Sequence, residues 1–132
     1  MGLNPGWLAV AEERGLVRVG AGEVRAPAPP PPAGCSEARF QAAVVALAER
    51  SGWAWFHVYN SRRCPPGFPD LVLVRPPVLI LAELKTDTGR VTRPQADWLE
   101  LLGRVPGVRV RLWRPALWAA VAAELTEGGG EQ

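Results

Sequence analysis

Glu37, Phe40, Gln41, Val44, Leu47 and Ala48 recur at helical spacing, with Ser36 placed to cap the first turn and Ser51-Gly52 to end the last. Trp53 to Tyr59, rich in aromatic and β-branched residues, reads as a strand. Asn60 to Pro69 carries loop residues. Asp70 to Val74 and Val78 to Leu84 are two apolar runs around Arg75-Pro76-Pro77. Neither run alternates, which predicts a sheet covered by helices on both faces. Thr86 to Val91 is a loop, and Thr92-Arg-Pro-Gln95 opens a helix to about Arg104 with Gln95, Trp98, Leu99 and Leu102 in line. Val108 to Trp113 alternates as a strand does, and an alanine-rich helix follows from Pro115 to Leu125. The order helix, three strands, helix, strand, helix is that of an α/β domain.

Ahead of this pattern, Ala26 to Gly34 reads APAPPPPAG, a stiff extended linker unable to join a helix or a central strand. Residues 1–34 are therefore expected to be a peripheral arm, 35–126 the domain, and 127–132 a disordered tail. No apolar stretch approaches the ~20 residues of a membrane helix. No basic segment followed by an apolar core opens the sequence, and Met1-Gly2-Leu3-Asn4-Pro5-Gly6 lacks the Ser or Thr of a myristoylation signal, so neither secretion nor lipidation is expected. Cys35 and Cys64 form no CxxC pair and there is one histidine, so a structural zinc site is not expected. A cytoplasmic protein with reduced thiols is the simplest reading.

The net charge of +2 says little, but its distribution says more. Residues 50–114 hold eleven basic residues against five acidic ones, a surface suited to a polyanion or, alternatively, a solvated arginine-rich face. Fourteen of the fifteen basic residues are arginine; the one lysine is Lys85, in Glu83-Leu84-Lys85. Symmetric closure of the hairpin about Pro76-Pro77 sets Asp70 opposite Glu83. Proline cannot adopt the positive φ of a two-residue primed turn, so a wider loop with the same register is expected. Facing carboxylates repel one another and call for a cation, and oxygen ligands with room for water and phosphate suit Mg²⁺ or Mn²⁺. The strand period turns Lys85 to the same side as Glu83, beside that metal, where it acts as a base or as a positioned charge. His57 reads as packed in the sheet and Trp98 as core.

Gly67-Phe-Pro-Asp70, Leu81-Ala-Glu83-Leu-Lys85-Thr86 and Gly89-Arg90-Val-Thr92-Arg-Pro-Gln95-Ala-Asp-Trp98 together resemble the VRR-NUC family of the PD-(D/E)xK nuclease superfamily. The likeness covers about residues 36–125. It implies a restriction-endonuclease-like αβββαβ core, with a mixed sheet flanked by helices and a C-terminal helix. By resemblance, Asp70 and Glu83 bind the metal with the Leu84 carbonyl, Lys85 is catalytic, and Glu37 matches an acid of the first helix that joins the metal site. Asn60 matches an asparagine that follows the first strand. Gln95 matches an active-site glutamine, although Thr92-x-x-Gln95 is equally a capping box. The resemblance implies Mg²⁺- or Mn²⁺-dependent hydrolysis of DNA. Arg62, Arg63, Arg90 and Arg93, with Asn60, would grip the phosphates. With no base-reading helix in evidence, selection of branched or Holliday-junction-like DNA is expected over sequence specificity. A homodimer is expected, as is a role in DNA repair or recombination of a phage or bacterial kind, without any small-molecule cofactor. The alternatives are a non-catalytic DNA-binding module or a docked nuclease subunit of a larger complex.

Overall fold

A computed structural model describes residues 30–59 and 63–127. Most of the expected arm and the tail lie outside the described residues. Helix α1 (Glu37–Arg50) starts at Ser36, whose hydroxyl accepts from the Arg39 N–H at 3.1 Å. It ends at Ser51, and Gly52 at φ 84° turns the chain into strand β1 (Ala54–His57). Strands β2 (Leu71–Arg75) and β3 (Val78–Leu84) form the hairpin, helix α2 (Arg93–Gly103) follows, and β4 (Val108–Trp113) completes the sheet. A short 3₁₀ turn (Pro115–Leu117) leads into helix α3 (Trp118–Glu127).

The sheet order is β1-β2-β3-β4, antiparallel through the first three strands and parallel between β3 and β4. The parallel pair needs a crossover, which α2 supplies. This is the mixed α/β sheet with flanking helices that the pattern predicts. The hairpin register is the expected one, from Arg75 against Val78 to Leu71 against Ala82. Its loop is not the wider one expected. Pro76 and Pro77 alone make the turn, the peptide between them is cis, and a cis proline at the third turn position closes the chain without positive φ.

One sheet face carries the core. Leu71, Leu73, Ile80, Ala82, Leu84 and Trp113 meet Phe40, Val44 and Leu47 of α1 and Trp118, Val121 and Leu125 of α3. Cutting Leu73 or Ile80 back to Ala would cost ~2–5 kcal/mol, since both are fully buried. The second face is only partly covered, contrary to the expectation from the two apolar runs. Helix α2 lies towards β4, so Leu81 is buried while Val72 and Val74 are half-buried and Phe56, paired with Val72, is 65% exposed. β2 is thus a one-sided strand whose solvent face happens to be apolar, a case that composition alone cannot separate from burial. His57 is packed edge-on against Tyr59, with ring centroids 4.3 Å apart.

Candidate active site

The hairpin ladder stops at Leu71 and Ala82, and one step further the side chains take over from the backbone. Asp70 Oδ2 accepts from the Leu84 N–H at 2.8 Å, which ties the start of β2 to the end of β3. Glu83, the next residue of β3, is 1% exposed, and among the described residues it is the one buried charged side chain. A carboxylate in that position needs a donor or a cation on both oxygens. Oε2 has them: Gln95 Nε2 donates at 2.9 Å and the Lys85 ammonium lies 3.8 Å away. Oε1 is buried and has none.

Burial pushes the Glu83 carboxyl up to about 8, with Asp70 next in effect and Glu37 adding to it, while Lys85 pulls the other way. With both carboxyls ionised, Glu83 and Asp70 can only accept, so neither satisfies the other. A proton on one of them supplies a hydrogen bond between the two, and this also raises Glu83. A divalent cation at the same point would replace that proton and give Oε1 its missing partner. Among the described residues, no three His, Cys, Asp or Glu side chains converge into a cage for a metal ion. The donor set is two carboxylates, which fits Mg²⁺ or Mn²⁺, cations that keep several waters and take further oxygens from phosphate.

Gln95 makes both contacts that its sequence position allows. Its side-chain oxygen accepts from the Thr92 N–H at 2.9 Å and the Thr92 hydroxyl accepts from the Gln95 N–H at 3.3 Å, a complete capping box. Its amide nitrogen remains free to hold Glu83. The cap therefore fixes which end of the amide faces the carboxylate. Gly67, noted in the sequence only within the likeness to the family, is what allows this approach. It sits at φ 97°, and a Cβ there would fall 2.5 Å from the Pro94 carbonyl carbon and 2.8 Å from the Gln95 nitrogen. Only glycine lets the chain before Asp70 lie directly on the first turn of α2. Trp98 secures the same contact, donating to the Pro66 carbonyl at 3.1 Å and meeting Phe68 edge to face. It is half-buried between loop and helix and not in the core, because α2 buries no residue fully.

The remaining expected site residues fall into place unevenly. Glu37 is exposed in the first turn of α1, near enough to Glu83 to act on its charge but outside any three-carboxylate cluster. The Leu84 peptide lies between Glu83 and Lys85, its N–H already held by Asp70. Arg90 and Arg93 are exposed on the approach to α2, and Arg93 pairs with Asp97 at 3.2 Å. Arg63 is exposed as well. Asn60 and Arg62 lie outside the described residues.

The profile of the VRR-NUC domain matches residues 31–115, well over half of the chain. Among solved structures, a VRR_NUC domain protein superposes with a TM-score of 0.53 at 18% identity, over 70% of this chain and 91% of that one. This likeness shows the fold. A comparison with curated proteins gives no match.

Proposed function

The chain belongs to the VRR-NUC family of nuclease-type DNA-processing domains, and on that premise we propose that it is a Mg²⁺- or Mn²⁺-dependent deoxyribonuclease selective for branched, Holliday-junction-like DNA. The observation that carries this reading is Glu83: a buried carboxylate with an unpartnered oxygen, faced by Asp70 and flanked by a lysine and a glutamine.

Asp70 and Glu83 would hold the cation, which supplies Lewis acidity for activating water and offsetting charge on the phosphate. The chain's own residues do the rest. Gln95 anchors Glu83 Oε2 so that Oε1 is the oxygen presented. Lys85, ion-paired to Glu83, is a charge held in place, and that is the role we assign to it. In the hydrolysis, water oxygen bonds to phosphorus as it gives a proton to solvent, the bond from phosphorus to the leaving sugar oxygen breaks, and that oxygen takes a proton from solvent to leave as a hydroxyl. Arg63, Arg90 and Arg93 would contact phosphates, which supports salt-sensitive binding indifferent to sequence. Asn60 and Arg62 belong to the same proposed grip.

A homodimer would present two such sites to a four-way junction. The edge strand β1, with Phe56 exposed on the uncovered sheet face, supports pairing with a second copy. Cys35 and Cys64 are free thiols, which supports a reducing, cytoplasmic setting, and the chemistry suits repair or recombination in a phage or bacterial host. No helix among the described residues is long and apolar enough to cross a membrane.

The test is cleavage of linear, single-stranded, flapped and four-way DNA in Mg²⁺ and Mn²⁺ by the wild type and by Lys85→Ala. Cutting of the four-way substrate that depends on both cation and Lys85 is expected. Undiminished cutting by Lys85→Ala would overturn the mechanism, and preference for linear duplex would overturn the substrate.

A further inference from the structure

We propose that Arg114, working together with Asp87, is a positioning residue for Lys85, clamping the turn that follows it to the end of β4. The inference rests on the reading of Lys85 as catalytic.

Lys85 lies one residue beyond β3, where the strand's own ladder no longer holds the chain. Its backbone is carried on by β4, the Lys85 N–H donating to the Trp113 carbonyl at 3.0 Å. The next residue of β4's exit, Arg114, reaches back to the turn. Its Nη1 donates to the Thr86 carbonyl at 2.6 Å and to the Gly89 carbonyl at 2.8 Å, so both protons of that nitrogen are committed. The turn closes on itself through Gly89 N–H to the Thr86 carbonyl at 3.3 Å. From the opposite side, Asp87 Oδ1 accepts from the Ala116 N–H at 2.8 Å, in the first turn of the 3₁₀ segment. Residues 85–89 and 113–116 are thereby joined by four hydrogen bonds, two from a guanidinium and one to a carboxylate.

The turn in turn bears on the lysine's stem. A Cβ added at Gly89 would lie 3.5 Å from Lys85 Cδ and 3.0 Å from Thr86 Oγ1. Gly89 thus lies beside the Lys85 stem, where any larger residue would touch it, and the lysine side chain is 12% exposed. Four rotatable bonds separate the backbone from the ammonium, so holding the turn beside the stem narrows the positions open to the ammonium, which lies 3.8 Å from Glu83 Oε2. Arg114 touches neither Glu83 nor Asp70 in any hydrogen bond, which makes it a residue acting through another.

Because Lys85 is the chain's one lysine, it can be read in isolation. The experiment compares the full chain with Arg114→Ala and Arg114→Lys in three measurements: kcat on four-way DNA, DNA affinity with Ca²⁺ in place of Mg²⁺, and the rate at which an amine-reactive reagent labels Lys85, followed by mass spectrometry. Arg114→Ala is expected to lower kcat by about 10–100-fold with affinity and its salt dependence nearly unchanged, and to label Lys85 several-fold faster. Arg114→Lys keeps the charge but its ammonium stops one bond short of the Nη1 position, so it is expected to lose both carbonyl contacts and follow the alanine variant. Loss of activity matched by loss of affinity and repaired by Arg114→Lys would make Arg114 a phosphate contact and overturn the proposal. Unchanged labelling in a folded Arg114→Ala would overturn it too. If Arg114→Ala does not fold, Asp87→Ala removes one bond of the same clamp from an exposed position. A smaller rise in labelling supports the clamp, and none in the folded variant contradicts it. The labelling measurement needs no turnover, so failure of the nuclease reading and failure of the clamp are told apart.

Discussion

The two ends of the β2–β3 hairpin each carry a charge withdrawn from water, and they treat it in opposite ways. At the turn, Arg75 donates to the Ser51 carbonyl at 2.6 Å and the Leu125 carbonyl at 3.3 Å and lies 4.6 Å above the centre of the Trp53 ring. Trp53 donates to the same Leu125 carbonyl at 2.8 Å. Every group there has a partner, and the cluster pins the end of α3 to the start of β1. At the open end, Glu83 is more deeply buried, faces another carboxyl and keeps an oxygen with no partner. A charge that serves the fold is satisfied by the fold, whereas Glu83 is left one partner short, as the proposed metal site requires.

The largest effect that sharpens this contrast is in catalysis. Asp70→Asn and Glu83→Gln should each lower cleavage by ~10³-fold or more, a loss on the scale of removing a principal source of electrostatic stabilisation. Thermal unfolding should show these variants as stable as the wild type or more so, because each removes one of two repelling carboxylates. At the other end, Arg75→Met should cost about 1–3 kcal/mol by taking the donor from the Ser51 carbonyl and leaving the Leu125 carbonyl to Trp53 alone, visible in denaturant titration, with kcat per folded molecule within about twofold.

Next in size comes the pH dependence. The Glu83 carboxyl is raised from 4.5 to about 8, so between those values the metal-free fold holds a proton that the unfolded chain has released. Rising pH therefore favours unfolding, and stability present below about 4.5 is lost as pH climbs towards 8. Calorimetry of metal-free protein should show the melting temperature falling across this window, and Glu83→Gln should flatten it. Saturating Mn²⁺ should raise the wild-type melting temperature at the upper end, by roughly 2.7 kcal/mol of stability at a hundred times Kd, and leave Asp70→Asn unmoved.

Smaller still are the supporting groups. Gln95→Ala should reduce kcat by about tenfold through loss of the hold on Glu83, and should weaken the fold by ~1 kcal/mol or less through loss of the cap box. Arg90→Ala and Arg93→Ala should weaken DNA binding by a few-fold each and lower the salt slope by about 1 apiece, measured by anisotropy at several salt concentrations.

Much of the active end was legible in the sequence because its order is covalent. Strand period and a symmetric turn put Asp70 beside Glu83 and Lys85 on the same side, and the structure keeps that register. Gln95 could be placed both as a cap and at the site, since a capping box fixes one end of the amide and leaves the other free. Neither the turn end nor the contact of Arg114 with the loop after Lys85 was legible. Arg75 and Arg114 bond to backbone carbonyls, which every residue carries, so no pattern of side chains announces them. The uncovered face of β1 and β2 was likewise hidden, since Val72 and Val74 look the same in a sequence whether a helix covers them or water does.

The contrast between the two ends is tested most directly by one side-by-side measurement. Cleavage of four-way DNA in Mn²⁺ is followed for wild type, Glu83→Gln and Arg75→Met, each normalised to folded protein. Wild type and Arg75→Met should turn over alike while Glu83→Gln stays at background. Turnover by Glu83→Gln close to wild type, or loss of turnover in folded Arg75→Met, would contradict the account.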